Sequence, residues 1–311
     1  MSSNSITFAN GVLMPLIGLG TYQIHSKEAI YKVLEAGLAS GYRLIDTASG
    51  YRNEEHIGAA LRDLLPKFGL KREDLFITSK IGPSSAGNHA SVVSCCQASL
   101  QHLGTTYLDL LLIHWPGLHK IAGEDPRNKA GRLVTWSALQ DLYRSGVTRA
   151  IGVSNYETRH CREILDSGIV PHVNQVELHP HYPQESLLEF CREHGIAVQA
   201  YCSLGSRDHK DKLLQDPAVL SVTESCAASP AQVYCRSPPT LTTSQPTSLP
   251  ETSCSARNSS ASSTPYRRAT NTPGTPRIFT KSLDLDFKIF SRSLWIIHFR
   301  PHVAVQPATV P

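Results

Sequence analysis

Gly41-Tyr-Arg-Leu-Ile-Asp46-Thr-Ala-Ser-Gly-Tyr51-Arg-Asn-Glu-Glu-His-Ile-Gly58 changes its periodicity within one short stretch. Arg43–Asp46 reads as a short strand whose apolar centre, Leu44-Ile45, ends on a carboxylate. Glu54–Leu65 has the spacing of an amphipathic helix, and the polar loop between the two carries Tyr51. Strand, loop and helix in that order form one β/α unit, the repeat from which parallel sheets with crossover helices are built.

The same alternation extends both ways. Strands are expected at Leu16–Leu19, Arg43–Asp46, Leu75–Ser79, Tyr107–Ile113, Ala150–Val153, His172–Glu177 and Ala197–Tyr201. Helices are expected at Lys27–Ala39, Glu54–Leu65, Ala90–Gln101, Thr135–Tyr143, Glu157–Leu165 and Gln184–Glu193. Leu110-Leu-Leu-Ile113 is apolar throughout, as a strand is when both its faces are buried. Ahead of these units, Ile6–Phe8 and Val12–Leu13 flank Asn10-Gly11, a hairpin signal. The fold class is α/β, of the (β/α)8 TIM-barrel type, but seven core strands are found where a closed barrel needs eight.

Composition divides the 311 residues in two. Residues 1–235, the incomplete barrel domain, carry a net charge of −2, whereas residues 236–311 carry +6. The overall +4 therefore belongs to the tail and does not mark the barrel as a nucleic-acid binder. Between Arg236 and Thr280, 26 of 45 residues are Ser, Thr or Pro, too polar a composition to offset its ordering entropy, so the tail is expected to be disordered. Two short apolar patches follow, Phe287-Lys-Ile-Phe290 and Leu294-Trp-Ile-Ile-His-Phe299, read as incidental sticky sequence or a peripheral membrane or partner motif. No run approaches the roughly 18 apolar residues of a membrane span, and the start lacks the pattern of a secretory signal. Eight scattered cysteines without paired spacing fit a reduced, cytoplasmic setting. Adjacent Cys95 and Cys96 read as packing residues.

In a β/α barrel, chemistry gathers where strands end. Asp46 ends the second strand, Lys80 follows the third and His114 the fourth. Ser154 and Asn155 follow the fifth, Gln175 lies in the sixth, and Tyr201 ends the seventh. A carboxylate and an ammonium at a barrel mouth are costly unless paired, so Asp46 and Lys80 are expected to form an ion pair near a reacting group. Taken singly, these residues also read as a structural ion pair, a half-buried loop tyrosine at Tyr51 and a satisfied core histidine at His114.

Taken together they resemble the aldo-keto reductase family. Gly41–Gly58 is similar to that family's first signature, and Arg149-Ala-Ile-Gly-Val-Ser-Asn-Tyr156 to its second. Thr78-Ser-Lys80, His114-Trp-Pro116 and Asn174-Gln-Val-Glu-Leu-His-Pro180 add three matches in order, so the resemblance covers about residues 6–233. It implies a monomeric enzyme that reduces a small-molecule aldehyde or ketone with NADPH. Tyr51 would donate the proton, with Lys80 lowering its pKa, Asp46 holding Lys80, and His114 orienting the carbonyl oxygen. Ser154, Asn155 and Gln175 would hold the nicotinamide carboxamide, Tyr201 would stack on its ring, and Asp46, Gly20 and Thr21 would border the cofactor. Leu204-Gly-Ser206 resembles the start of the pyrophosphate loop, although Cys202 stands where the family usually has Ser. Tyr22 and Trp115 would wall the substrate site beside Tyr51 and His114. No metal, nucleic-acid or membrane partner is implied; His179-Pro-His181 lacks the further ligands of a metal site.

The resemblance ends abruptly. Ser229-Pro-Ala-Gln-Val233 should begin a long helix, but Pro238-Pro239 would stop it, and the family's third signature, a strand ending in Pro-Lys-Ser, is absent. A strand-eight gap would leave the first and seventh strands with open edges, and residues 281–311 lack the pattern to replace it. The change of text after about Val233 is the kind expected from a shifted reading frame, a retained intron or a gene-model error. The alternative function is then a catalytically impaired or non-enzymatic barrel variant.

Overall fold

The computed structural model describes residues 5–204, 210–226 and 294–299. It opens with an antiparallel hairpin, β1 (Ser5–Thr7) and β2 (Leu13–Pro15), whose turn places Gly11 at φ 83°, a conformation glycine adopts without a Cβ clash. Seven parallel strands follow: β3 (Ile17–Gly20), β4 (Leu44–Asp46), β5 (Phe76–Ile81), β6 (Leu110–Ile113), β7 (Ile151–Ser154), β8 (Val173–Glu177) and β9 (Ala197–Tyr201). Each pairs with the next. Helices α1 (Lys27–Ala39), α2 (Glu54–Lys67), α3 (His89–Leu103), α4 (Arg127–Arg144), α5 (Thr158–Leu165) and α6 (Glu185–Glu193) connect them. α7 (Lys210–Leu214) and α8 (Pro217–Cys226) come after β9.

Strand alternation divides the core in two. Ile45, Ile77, Leu111, Ile113, Ile151 and Val153 face outward and pack with Leu34, Ile57, Leu61, Leu139 and Ile164 of the helices. Leu44, Phe76, Leu110, Leu112, Val173 and Ala197 face the barrel interior and join Ile6, Phe8 and Met14 of the hairpin. Gly152 is required where β7 crosses its neighbour: a Cβ there would lie 2.4 Å from the Val173 carbonyl oxygen. Polar caps set the helix starts. Ser26 accepts a hydrogen bond from the Ala29 N–H, and Asn88 from that of Ser91.

Two expectations are corrected. α4 begins at Arg127 rather than Thr135. Its first turns bury Arg132, which donates to both Glu163 oxygens and to the Pro116 carbonyl, so a buried cation interrupts the apolar pattern that marks a helix face. The parallel series does end at the seventh strand, but its edges are not open. Leu294–Phe299 forms β10, antiparallel to both β3 and β9, and closes the ring in the order β10-β3-β4-β5-β6-β7-β8-β9. Two unpaired edges facing each other offer backbone donors and acceptors to an apolar strand of either direction. Ser229–Val233, Ser206 and tail residues 236–293 and 300–311 lie outside the described residues. Among the described residues, no helix is long and apolar enough to cross a membrane.

Candidate active site

The inward alternation that fills the lower interior with Leu44, Phe76 and Leu110 continues upward to Asp46, Lys80 and His114. Lys80 is 1% exposed. Its Nζ donates to Asp46 Oδ1 and to the Thr47 carbonyl at 2.9 Å, and it lies 3.4 Å from the Tyr51 hydroxyl. Burial alone would lower the Lys80 pKa, but Asp46 and Tyr51 more than compensate and hold it above its ordinary value. The ammonium is thus kept charged inside the barrel.

Tyr51 ends a 3₁₀ turn, Ser49–Tyr51, whose Ser49 hydroxyl donates to the Lys80 carbonyl at 2.8 Å. Burial raises the pKa of this phenol, and Lys80 lowers it as the sequence leads one to expect, but burial is the larger effect and the net shift is upward. The phenol is consequently held in its protonated, donating form. The Tyr51 and His114 rings meet edge to face with centroids 5.5 Å apart. Burial, aided by Lys80, pushes the His114 pKa down to about 3, so the imidazole is neutral near pH 7. A neutral ring carries one N–H and one lone pair, suited to bonding a polar oxygen without adding charge.

The remaining strand-end residues form a connected set. Gln175 Nε2 donates to the second Asp46 oxygen at 2.8 Å. The Ser154 hydroxyl donates to the Gln175 carbonyl at 2.9 Å. Asn155, held at φ 62°, donates to the His114 carbonyl at 2.9 Å and to Ser154 Oγ at 3.2 Å. The Tyr201 hydroxyl donates to Asn155 Oδ1 at 2.7 Å. Polar contacts therefore run from Tyr201 through Asn155, Ser154, Gln175 and Asp46 to Lys80 and Tyr51. Gly20 ends β3, and the Thr21 hydroxyl donates to the Asp46 carbonyl at 2.9 Å. Leu204 packs with Leu213 and Val219. Ser203, just before it, buries a hydroxyl that has no hydrogen-bond partner among the described residues.

Tyr22 and Trp115 are 59% and 49% exposed, and their rings stand beside those of Tyr51 and His114. His179 and His181 each face a carboxylate, Glu177 at 3.1 Å and Asp216 at 2.7 Å. Cys96 is fully buried, with burial raising its thiol pKa to about 12, which suits packing rather than thiolate chemistry. Sequence reading missed Thr47 and Ser49. Thr47 acts through its backbone carbonyl, for which a sequence carries no signal, and Ser49 looks like an ordinary loop residue.

The chain is similar to known proteins over most of its length. Residues 16–231 match the pattern described as the aldo/keto reductase family. Glyoxal reductase of Bacillus subtilis is 37% identical over 75% of this chain and 78% of its own length. Glycerol 2-dehydrogenase (NADP(+)) of Saccharomyces cerevisiae is also 37% identical, over 75% of this chain and 78% of its own. Among solved structures, an aldo/keto reductase from Brucella melitensis superposes with a TM-score of 0.65 at 37% identity, covering 74% of this chain and 82% of that one. The aldose reductase of Schistosoma japonicum gives 0.65 at 34%, covering 74% and 77%. The family pattern, matched over more than two thirds of the chain, together with these relatives and solved structures of the same fold, places the protein in the aldo/keto reductase family.

Proposed function

We propose that this chain reduces aldehydes or ketones to alcohols with NADPH, Tyr51 supplying the proton. The observation that carries the reading is the buried Lys80 ammonium ringed by Asp46, the Thr47 carbonyl and the Tyr51 hydroxyl, with a neutral imidazole alongside. The names of two relatives, a glyoxal reductase and an NADP(+)-dependent glycerol dehydrogenase, agree with it.

His114 would bond the carbonyl oxygen and hold it next to the Tyr51 hydroxyl. As negative charge grows on that oxygen, the Tyr51 proton moves to it. Lys80, 3.4 Å from the phenol oxygen, stabilises the phenolate left behind. Asp46 keeps the ammonium in place. Because burial favours the protonated phenol and Lys80 favours the phenolate, Tyr51 starts loaded and can still let its proton go. The buried Ser203 hydroxyl, beyond the end of β9 and without a partner among the described residues, is a free donor that suits a pyrophosphate oxygen. Ser154, Asn155, Gln175 and Tyr201 would hold the nicotinamide end, and Gly20, Thr21, Leu204 and Ser206 would border the rest. NADPH, when bound, supplies the hydride.

The test is loss of NADPH absorbance with glyoxal as substrate. Tyr51→Phe should lower kcat by at least roughly a hundredfold, the scale of general acid catalysis, while preserving the fold. Equal turnover by the variant would remove Tyr51 from the mechanism. The second reading, an impaired barrel, is favoured by the antiparallel β10, which occupies the place of the parallel strand that ends in Pro-Lys-Ser in the family. Thermal unfolding with and without NADPH separates the two. Saturation at a hundred times Kd stabilises by about 2.7 kcal/mol, whereas an impaired barrel shows no shift.

A further inference from the structure

Asn53 occupies the N-cap position of α2, where an asparagine side chain ordinarily accepts a hydrogen bond from its own helix. Here it makes no such bond. It is 0% exposed, and its amide is spent on two other segments. Nδ2 donates to the Thr21 carbonyl at 2.8 Å and to the Ile24 carbonyl at 2.9 Å, one on each side of Tyr22. Oδ1 accepts from the Thr47 hydroxyl at 3.0 Å, and the Thr47 carbonyl is the one that binds Lys80. A primary amide is the one uncharged side chain that supplies two donors and an acceptor in this fork. Aspartate would set a carboxylate against two carbonyl oxygens.

We infer that Asn53 is a positioning residue that fixes the loop carrying Tyr22 against the loop carrying Tyr51, and through it the preference for carbonyls bearing an aromatic group. The inference rests on the proposed role of Tyr51. The two loops depend on Asn53 unequally. Tyr51 has supports of its own: its N–H bonds the Ala48 carbonyl at 2.9 Å, and Ser49 ties the turn to β5. The segment after Thr21 has one longer backbone bond of its own, from the Ile24 N–H to the Thr21 carbonyl at 3.3 Å, and the buried Ile24 side chain beside the two Asn53 bonds, while the Tyr22 ring is 59% exposed. Its centroid lies 5.0 Å from that of Tyr51. Loss of Asn53 therefore releases mainly the Tyr22 wall. A two-carbon aldehyde makes little use of that wall, and an aromatic aldehyde packs on it.

The experiment uses the full chain, NADPH, and two substrates, benzaldehyde and glyoxal. For Asn53→Ala, kcat/KM with benzaldehyde should fall about tenfold further than with glyoxal, mainly through KM, with cooperative unfolding retained. Thr47→Val, which removes only the hydroxyl anchoring Oδ1, should move the ratio in the same direction by about threefold. Equal losses on both aldehydes, or no loss, would overturn the inference. If Asn53→Ala does not fold, the ratio in Thr47→Val decides alone. Tyr51→Phe keeps the two readings apart: an active Tyr51→Phe defeats the proposed reaction, whereas an inactive Tyr51→Phe together with an unmoved aldehyde ratio in Asn53→Ala defeats only the inference about Asn53.

Discussion

At the lower end of the barrel, Leu44, Phe76, Leu110 and Val173 meet the hairpin residues Ile6, Phe8 and Met14 without a charge among them. At the upper end, β4 finishes on Asp46, β5 leads to Lys80, β6 leads to His114 and β8 carries Gln175. One strand supplies both layers, in steps of two residues: Phe76 below, Thr78 in the middle, Lys80 above. The difference shows how stability and chemistry coexist on a few short strands. The lower layer gains free energy from apolar burial and tolerates changes that conserve volume. The upper layer buries an ion pair, which contributes little net stability but fixes where a proton can be held.

The largest effect is expected from breaking the upper layer at its centre. Lys80→Met leaves the Asp46 carboxylate buried without its cation and should cost about 3–5 kcal/mol, with turnover abolished. Adding Asp46→Asn removes the stranded charge while keeping an acceptor for Gln175, so the double variant should regain most of that stability and none of the turnover. Urea denaturation beside an NADPH-oxidation assay checks both. Regained turnover would detach Lys80 from the reaction. In the lower layer, Phe76→Ala should cost about 3 kcal/mol through lost burial and a residual cavity, yet leave kcat per folded molecule unchanged. A fall in kcat comparable to that of Lys80→Met would show that the two layers are not separable.

Much of this contrast is legible in the sequence. Period-two alternation through Leu44-Ile-Asp46 and Phe76-Ile-Thr-Ser-Lys80 assigns each side chain to the interior or the helices, so the polar ends can be read as one layer. Illegible features depend on distance or on burial. β10 lies far along the chain from β9, beyond a stretch with no β/α pattern, and a strand that pairs antiparallel by its backbone needs no periodic signature. The start of α4 is hidden by Arg132, which looks like a surface residue until Glu163 and the Pro116 carbonyl are placed around it. The proton affinity of Tyr51 is hidden for a similar reason. The sequence shows the neighbouring cation, but only the folded barrel shows how much water has been removed.

The smallest effect sharpens the comparison through pH. In the unfolded chain His114 takes up a proton as the pH falls through its ordinary 6.5, whereas in the barrel it stays neutral down to about 3. Between those values the unfolded state binds more protons, so this residue makes the fold less stable as the pH drops and more stable as it rises towards neutrality, by up to about 1.4 kcal/mol per pH unit. Glu54 acts in the opposite sense. Burial raises its pKa above 4.5, so above that pH the unfolded state has released a proton that the folded state still partly holds. Comparing wild type with His114→Gln cancels Glu54 and every other shared group, leaving the slope due to the imidazole. Denaturation curves at pH 4, 5, 6 and 7 should show the wild type losing stability faster than the variant as acid is added. Parallel curves would mean that His114 takes up its proton in the fold at the same pH as in the unfolded chain, so that the barrel does nothing to keep the imidazole neutral.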